Sequence, residues 1–423
     1  MLRIESGVAF TDMSKDDVEV AVIGGGAAGI AAAKRLHEAG VDCLLIEARD
    51  RLGGRGFSWQ LPDGTRIDLG CGWLHSADEN PWSELAARQG RTIDKSPPPW
   101  TKPSLEIGFP RQQQQDFTEA LHAFYQRLEA LARQGKDVPA SAALEPGNRW
   151  NALIGAVGTF ISGGELHRVS ARDFDNYADT DVNWRVVEGY GTLIAAHAND
   201  VPAALDCAVR RIDHSGKRLR VDTARGTITA DKIIVTLPTS VMAAMDDLFW
   251  PVLPEKIEAA RNLPLGLDDK LFIALEGAEE FEPDSRLFAH TDRATAAYHL
   301  RPFGRPMIEA YFGGELAAEL EVGGAAAFYD FAVAELTAAL GGAFAARLKP
   351  IIVHPWGTDP YARGAYSFAL VGKAHCRQVL AAPVDDRLFF AGEACSEHDF
   401  STAHGAYRTG VAAAEQVLVA RQR

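Results

Sequence analysis

The sequence predicts an α/β fold built on a doubly wound sheet, and three adjoining features near its start predict it. Residues 18–23, VEVAVI, form an apolar run of buried-strand length. Gly24-Gly25-Gly26-Ala27-Ala28-Gly29 follows at once, and IAAAKRLHEAG then reads as a helix ending at Gly40. The next run, VDCLLIE, closes on Glu47, about 20 residues beyond the last glycine.

Each part has a mechanical role in holding a dinucleotide. Gly24 makes the turn, Gly26 lets the backbone approach a pyrophosphate, and Gly29 lets helix and strand pack closely. Ala28 lies in the helix's first turn, whose free N–H groups and dipole attract phosphate. Glu47 is placed to accept the ribose hydroxyls, and its charge disfavours a 2′-phosphate. Ala48-Arg49 follow directly, and the chain continues to Gly53-Gly54-Arg55, where the arginine can pair with phosphate.

The totals bound the rest. A chain of 423 residues is long enough for two or three cores. A net charge of −14 argues against nucleic acid or anionic membrane as a partner, and no apolar run reaches the length of a membrane span. Residues 1–17 carry acids where a signal peptide would be apolar, so they are expected to be a flexible tail. The five cysteines form no CxxC pair, which excludes a zinc or disulfide framework and fits a reducing cytoplasm. No metal site is expected.

The stretch through Ala48-Arg49-Asp50-Arg51-Leu52-Gly53-Gly54-Arg55 resembles the extended FAD signature of the flavin amine oxidase family, in its monoamine and polyamine oxidase branches. Four further segments resemble that family in the right order. Asp68-Leu69-Gly70-Cys71-Gly72-Trp73-Leu74-His75 is similar to the segment under the flavin ring, and the polyamine-oxidase branch often has a histidine at the place of His75. Val187-Glu188-Gly189-Tyr190-Gly191 leads to Val209-Arg210-Arg211-Ile212, where the family's backbone contacts adenine, and on to ADKIIVTLPTSVM. Residues 356–367, WGTDPYARGAYS, resemble the segment flanking the flavin, with Trp356 and Tyr361 as pocket walls and Tyr366 over the flavin beside the substrate. Leu388-Phe389-Phe390-Ala391-Gly392-Glu393 and Thr402-Ala403 resemble the last segment, where the acid binds the ribityl region and a helix points its N-terminus at the flavin.

The resemblance implies a Rossmann-like FAD domain of residues 18–84, 186–245 and 384–423. It also implies an inserted α+β substrate domain of residues 85–185 and 246–383. FAD is expected to be non-covalent, because Ala365 stands where some members carry the linking cysteine. Tyr366 matches one tyrosine of the monoamine oxidase pair, whereas Thr402 replaces the other and is placed in the substrate site.

Lys270, in DDKLFIALEG, matches the family's lysine that bonds a water next to flavin N5. A partly desolvated lysine can exchange protons with such a water. The implied reaction is hydride transfer from a neutral amine to N5, hydrolysis of the imine, and reoxidation by oxygen to give hydrogen peroxide. An L-amino-acid oxidase is the nearest alternative, with Arg111 as a loose candidate for a substrate carboxylate. A C–C desaturase and a flavin-binding protein without turnover are further ones. The expected partners are a small amine and oxygen, and a homodimer is left open. Between the matched segments, 111–135 and 328–341 read as helices, the first with a face of Phe117, Leu121, Phe124, Leu128 and Leu131.

Overall fold

The computed structural model describes residues 16–422, which divide into two compact units. The first takes the described chain up to Asp94, Tyr177–Pro264, and the described residues from His375 on; the second takes Lys95–Asn176 and Leu265–Ala374. Of the expected 1–17 tail, residues 1–15 lie outside the described residues, and Asp17 already pairs with Thr229 in the sheet.

In chain order the elements begin with β1 (Asp17–Ile23), α1 (Ala27–Glu38), β2 (Cys43–Ile46) and α2 (Arg111–Ala132). Then come β3 (Ala203–Ala204), β4 (Val209–Asp213), β5 (Leu219–Thr223), β6 (Gly226–Val235), β7 (Phe249–Trp250) and α3 (Pro254–Asn262). The second unit's sheet follows as β8 (Asp268–Leu275), β9 (Ser285–Phe288), β10 (Ala297–Leu300), β11 (Met307–Gly313), α4 (Gly314–Leu340) and β12 (Leu348–Val353). Last are α5 (Cys376–Ala381), β13 (Leu388–Phe390) and α6 (Ala403–Ala420).

The first unit is built on the order β7-β4-β5-β6-β1-β2-β3, with β13 also on β6. β1 pairs in parallel with β2 and β6, and β6 pairs in parallel with β13. Strands covered on both faces read as continuous apolar runs, and β1 and β2 do so. α1 buries its alanine-rich face, and Gly410 of α6 comes so close that an added Cβ would stand 2.1 Å from the Ala28 carbonyl oxygen.

The second unit's sheet is antiparallel, in the order β9-β10-β11-β8-β12. Its strands alternate. Leu271, Ile273, Ile308, Ala310, Phe312 and Tyr298 pack with Phe328, Ala332 and Leu336 of α4 in one apolar core. The alternate positions, among them Lys270, Glu309 and His299, occupy the other face.

Four domain boundaries differ from the sequence expectation. Residues 85–94, 177–185, 246–264 and 375–383 fall in the first unit. Ile93 pairs with Val186, and the Arg185 guanidinium lies 2.5 Å from Asp94. Lys256 of α3 donates to the carbonyls of Val379 and Leu380 in α5, and to that of Ala382. The helix expected over 328–341 starts at Gly314 and runs through a break at Gly324 (φ +70°), which glycine tolerates without a Cβ penalty. β8 takes in Asp268, Asp269 and Lys270, with Asp268 registered to Gly313 and Lys270 to Tyr311. α2 ends at Ala132, with Phe117, Phe124 and Leu128 buried as the spacing predicts.

Candidate active site

In the first unit, β1, β2 and β6 run side by side, with Ile23 registered to Ile46 and Val235. The chain then turns over Gly24, at φ +106°, whose N–H donates to the Ile46 carbonyl. An added Cβ on Gly29 would stand 1.8 Å from the Gly24 oxygen, so the helix can sit against the turn only because that position is glycine. α1 starts at Gly26 with no side-chain cap, leaving its N-terminus to an outside anion.

Glu47 is buried and serves the loop as well as any ligand. Its Oε2 accepts the Gly25 N–H at 2.6 Å and its Oε1 the Arg49 N–H at 2.8 Å. Burial pushes the carboxyl's pKa up; those two N–H groups, with the Arg49 and Arg51 charges, oppose but do not cancel it. A carboxylate has lone pairs beyond those two contacts, so ribose hydroxyls remain acceptable to it. Ala48 is half-buried.

The second glycine pair lies against the first. Gly53 N–H donates to the Gly25 carbonyl at 2.8 Å, and an added Cβ on Gly54 would be 2.9 Å from Gly26 Cα. Arg55 Nη1 lies 3.1 Å from Glu393 Oε1, and Glu393 Oε2 accepts the Ser401 N–H. Gly392, next to that acid, has φ +142° and open space where a Cβ would be. A Cβ on Gly26 would likewise meet nothing nearer than Gly54 Cα at 3.9 Å. Backbone bare of side chains, an uncapped helix start and a buried acid together fit the pyrophosphate and ribose of a dinucleotide.

The remaining expected residues of this unit are placed as follows. Thr402 caps α6, accepting the Gly405 N–H at 2.9 Å, and Ala403 opens the helix. Trp73, next to Gly72, lies under the Arg185 guanidinium at 4.9 Å. Val209 begins β4 at a bulge. His75 is half-buried, its Nδ1 2.5 Å from Asn183 Oδ1 and 3.8 Å from Asp179 Oδ2.

In the second unit, Lys270 is buried, with Nζ 3.1 Å from Glu309 Oε1 and 6.0 Å from the centre of the Tyr311 ring. Glu309 supplies the counter-charge that a buried ammonium group requires. Tyr366 is tied to the residue two before β8: Gly266 N–H donates to its carbonyl, and Ala365 N–H to that of Gly266. Its hydroxyl donates to the Phe160 carbonyl at 2.6 Å and stands 3.2 Å from the Tyr311 hydroxyl. Lys270 and Tyr366 are therefore joined through Tyr311, which the sequence reading passed over. Burial, with Asp268 second, pushes both tyrosine hydroxyls well above their usual range, so both stay protonated.

Asp268 and Asp269 were also passed over as ligands of the interior. Burial pushes both carboxyls well above the usual range, with Asp269 raising Asp268 further, and Glu321 raising Asp269 against the lowering effect of the Trp356 N–H. Asp269 Oδ1 accepts that N–H at 2.9 Å, while Glu321 of α4 accepts the Gly357 N–H at 2.7 Å. These two acids thus hold the backbone at Trp356, whose ring is buried. Tyr361 is 42% exposed, so its ring is no buried wall of this unit. Arg111 is exposed and paired with Glu106 at the start of α2, which leaves the amino-acid alternative without its arginine.

The profile of the family described as "Flavin containing amine oxidoreductase" matches residues 156–418, and that of an "NAD(P)-binding Rossmann-like domain" matches 22–88. The chain is 30% identical to polyamine oxidase 2 of Arabidopsis thaliana over 438 residues, covering 94% of this chain and 87% of that protein. It is 27% identical to human lysine-specific histone demethylase 2, covering 94% of this chain but 53% of the demethylase. Among solved structures, cyclohexylamine oxidase from Brevibacterium oxydans IH-35A has the same fold, with a TM-score of 0.80 at 19% identity over 96% of this chain and 100% of that one.

Proposed function

Because the chain belongs to the flavin containing amine oxidoreductase family and is an FAD-dependent amine oxidoreductase, we propose that it works as an oxidase on small amines. A neutral amine loses hydride from its α-carbon, and the imine hydrolyses to an aldehyde or ketone plus the second amine or ammonia. The chemistry supplied by bound FAD is acceptance of that hydride at N5 and delivery of two electrons to oxygen, giving hydrogen peroxide.

The chain's own residues divide the work. The loops at Gly24–Gly29 and Gly53–Arg55 hold the pyrophosphate, Glu47 with Ala48 and Arg49 the adenosine ribose, and the backbone at Val209 the adenine. Arg55–Glu393 and the α6 start at Thr402-Ala403 hold the ribityl and ring end, together with Gly72, Trp73 and Gly392 of the same unit. Lys270 orients a water and moves a proton to or from it at Nζ. In the second unit, Tyr366 and Tyr311 present neutral hydroxyls and aromatic faces to the substrate. The observation that carries this reading is the linkage of Lys270 to Tyr366 through Tyr311 on a charged sheet face. Relatives named polyamine oxidases favour amines with more than one nitrogen as first substrates to try.

A panel of monoamines, polyamines and amino acids, assayed for peroxide, tests the proposal. At least one amine should give peroxide in step with oxygen uptake, and amino acids should give little. No peroxide with any member of the panel would overturn the oxidase reading. Acid precipitation should leave the flavin in the supernatant as FAD, because Ala365 offers no sulfur for a covalent link. Yellow colour retained on the denatured chain would contradict that.

A further inference from the structure

Behind Lys270 runs a line of alternating charge. Lys270 Nζ lies 3.1 Å from Glu309 Oε1, Glu309 Oε2 lies 3.7 Å from His299 Nδ1, and His299 Nε2 lies 2.8 Å from Asp284 Oδ1. The register builds it. Lys270 stands opposite Tyr311 across β8 and β11, so Glu309, two residues along β11, is its diagonal neighbour on the same face. His299 of β10 stands directly opposite Glu309.

The line is shielded from water, since its most exposed side chain, Glu309, is 17% accessible. Charges so placed are little screened by salt. Burial would raise the Glu309 carboxyl, but Lys270 and then His299 more than reverse this and hold it at about 2. Burial would also discharge the His299 ring, but its bonds to Asp284 and Glu309 win and raise its pKa. Of the other groups facing Lys270, Tyr311 keeps its proton. Burial raises the carboxyl of Asp268, on Lys270's own strand, well above its usual range, with the Lys270 charge opposing this, and burial raises that of Asp269 as well.

We propose that Glu309 is the positioning residue for Lys270, and that His299, held by Asp284, tunes how firmly Glu309 keeps the ammonium group aimed. The proposal rests on the reading that Lys270 serves the oxidation cycle. An ammonium group has three donors and no preferred direction of its own. A single carboxylate oxygen gives it one, and His299 stands 3.7 Å from the other oxygen as its charge partner.

Glu309→Gln preserves the shape and removes the charge. Lys270 would then lose the carboxylate that aims it, so flavin reoxidation should slow by about tenfold or more, and Glu309→Asp should recover part of the rate. A second readout needs no turnover: the His299 ring titration, followed by NMR with histidine-selective labelling. Lys270→Met should raise that pKa, because a nearby positive charge is gone, and Glu309→Gln should lower it. If Glu309→Gln does not fold, the Lys270→Met titration decides alone. An unmoved His299 in Lys270→Met, or a parental reoxidation rate in a folded Glu309→Gln, would overturn the proposal. His299 shifting while Lys270→Met reoxidises normally would instead sink the catalytic reading of Lys270 and leave the coupling intact.

Discussion

Lys270→Met is expected to slow reoxidation of the reduced enzyme by oxygen by about 10²–10⁴-fold, the span of a positioned proton-transfer group. Methionine keeps the length of the stem and removes the ammonium group, so reduction by amine should change less. The two half-reactions separate in anaerobic and aerobic stopped-flow absorbance. The variant should also be less stable, because removing one partner of a buried ion pair strands the other. That loss runs to about 3–5 kcal/mol where nothing else compensates. Glu309 keeps His299, whose pKa is raised, as a neighbour, so the loss should fall short of that range and FAD content should survive. Reoxidation at the parental rate would mean that Lys270 serves only to balance Glu309.

Two glycine variants should part folding from cofactor retention in the first unit. Gly29→Ala puts a methyl group 1.8 Å from the Gly24 oxygen. Gly24 cannot retreat, since its own position already approaches Thr236, with 2.6 Å from an added Cβ to the hydroxyl. The expected result is a loss of more than about 3 kcal/mol, beyond ordinary overpacking, and protein recovered without flavin. Gly26→Ala meets only Gly54 Cα, at 3.9 Å, so the apoprotein should melt close to the parent. Its methyl group instead occupies the space beside the α1 start, and FAD affinity should fall by about tenfold or more. Flavin titration and thermal melts of the two apoproteins check both. A Gly26→Ala protein that holds FAD as the parent does would place the pyrophosphate elsewhere.

What the sequence revealed and what it hid follow from the range of the interactions involved. The β1–α1–β2 unit was legible because its signal is local: strand, glycine turn, helix and acid lie within residues 17–47. Glu47 was found, but not its bonds to Gly25 and Arg49, because those depend on how the loop closes. Lys270 stood out as a charge in an apolar run. Glu309 and His299 did not, because only the strand register brings them beside it. Asp268 and Asp269 lie inside β8, where burial raises both carboxyls and the Trp356 N–H binds Asp269. The polar-versus-apolar alternation of EAYFG in β11 was the available clue to that charged sheet face.

The first unit's sheet imposes an order on synthesis. β6 holds β1 along one edge and β13 along the other, while α6 closes over α1. β1 and β13 are separated by most of the gene, so at roughly 5–20 residues per second the ribosome takes tens of seconds to pass from one to the other. The second unit's sheet, by contrast, is contained in residues 268–353, although β8 pairs with β11 and β12 rather than with its neighbour in sequence, β9. Completion therefore runs against the direction of translation, and the nucleotide pocket begun first is finished last. Until residues 388–420 have emerged, β13 cannot cover its part of β6 and α6 cannot pack on α1.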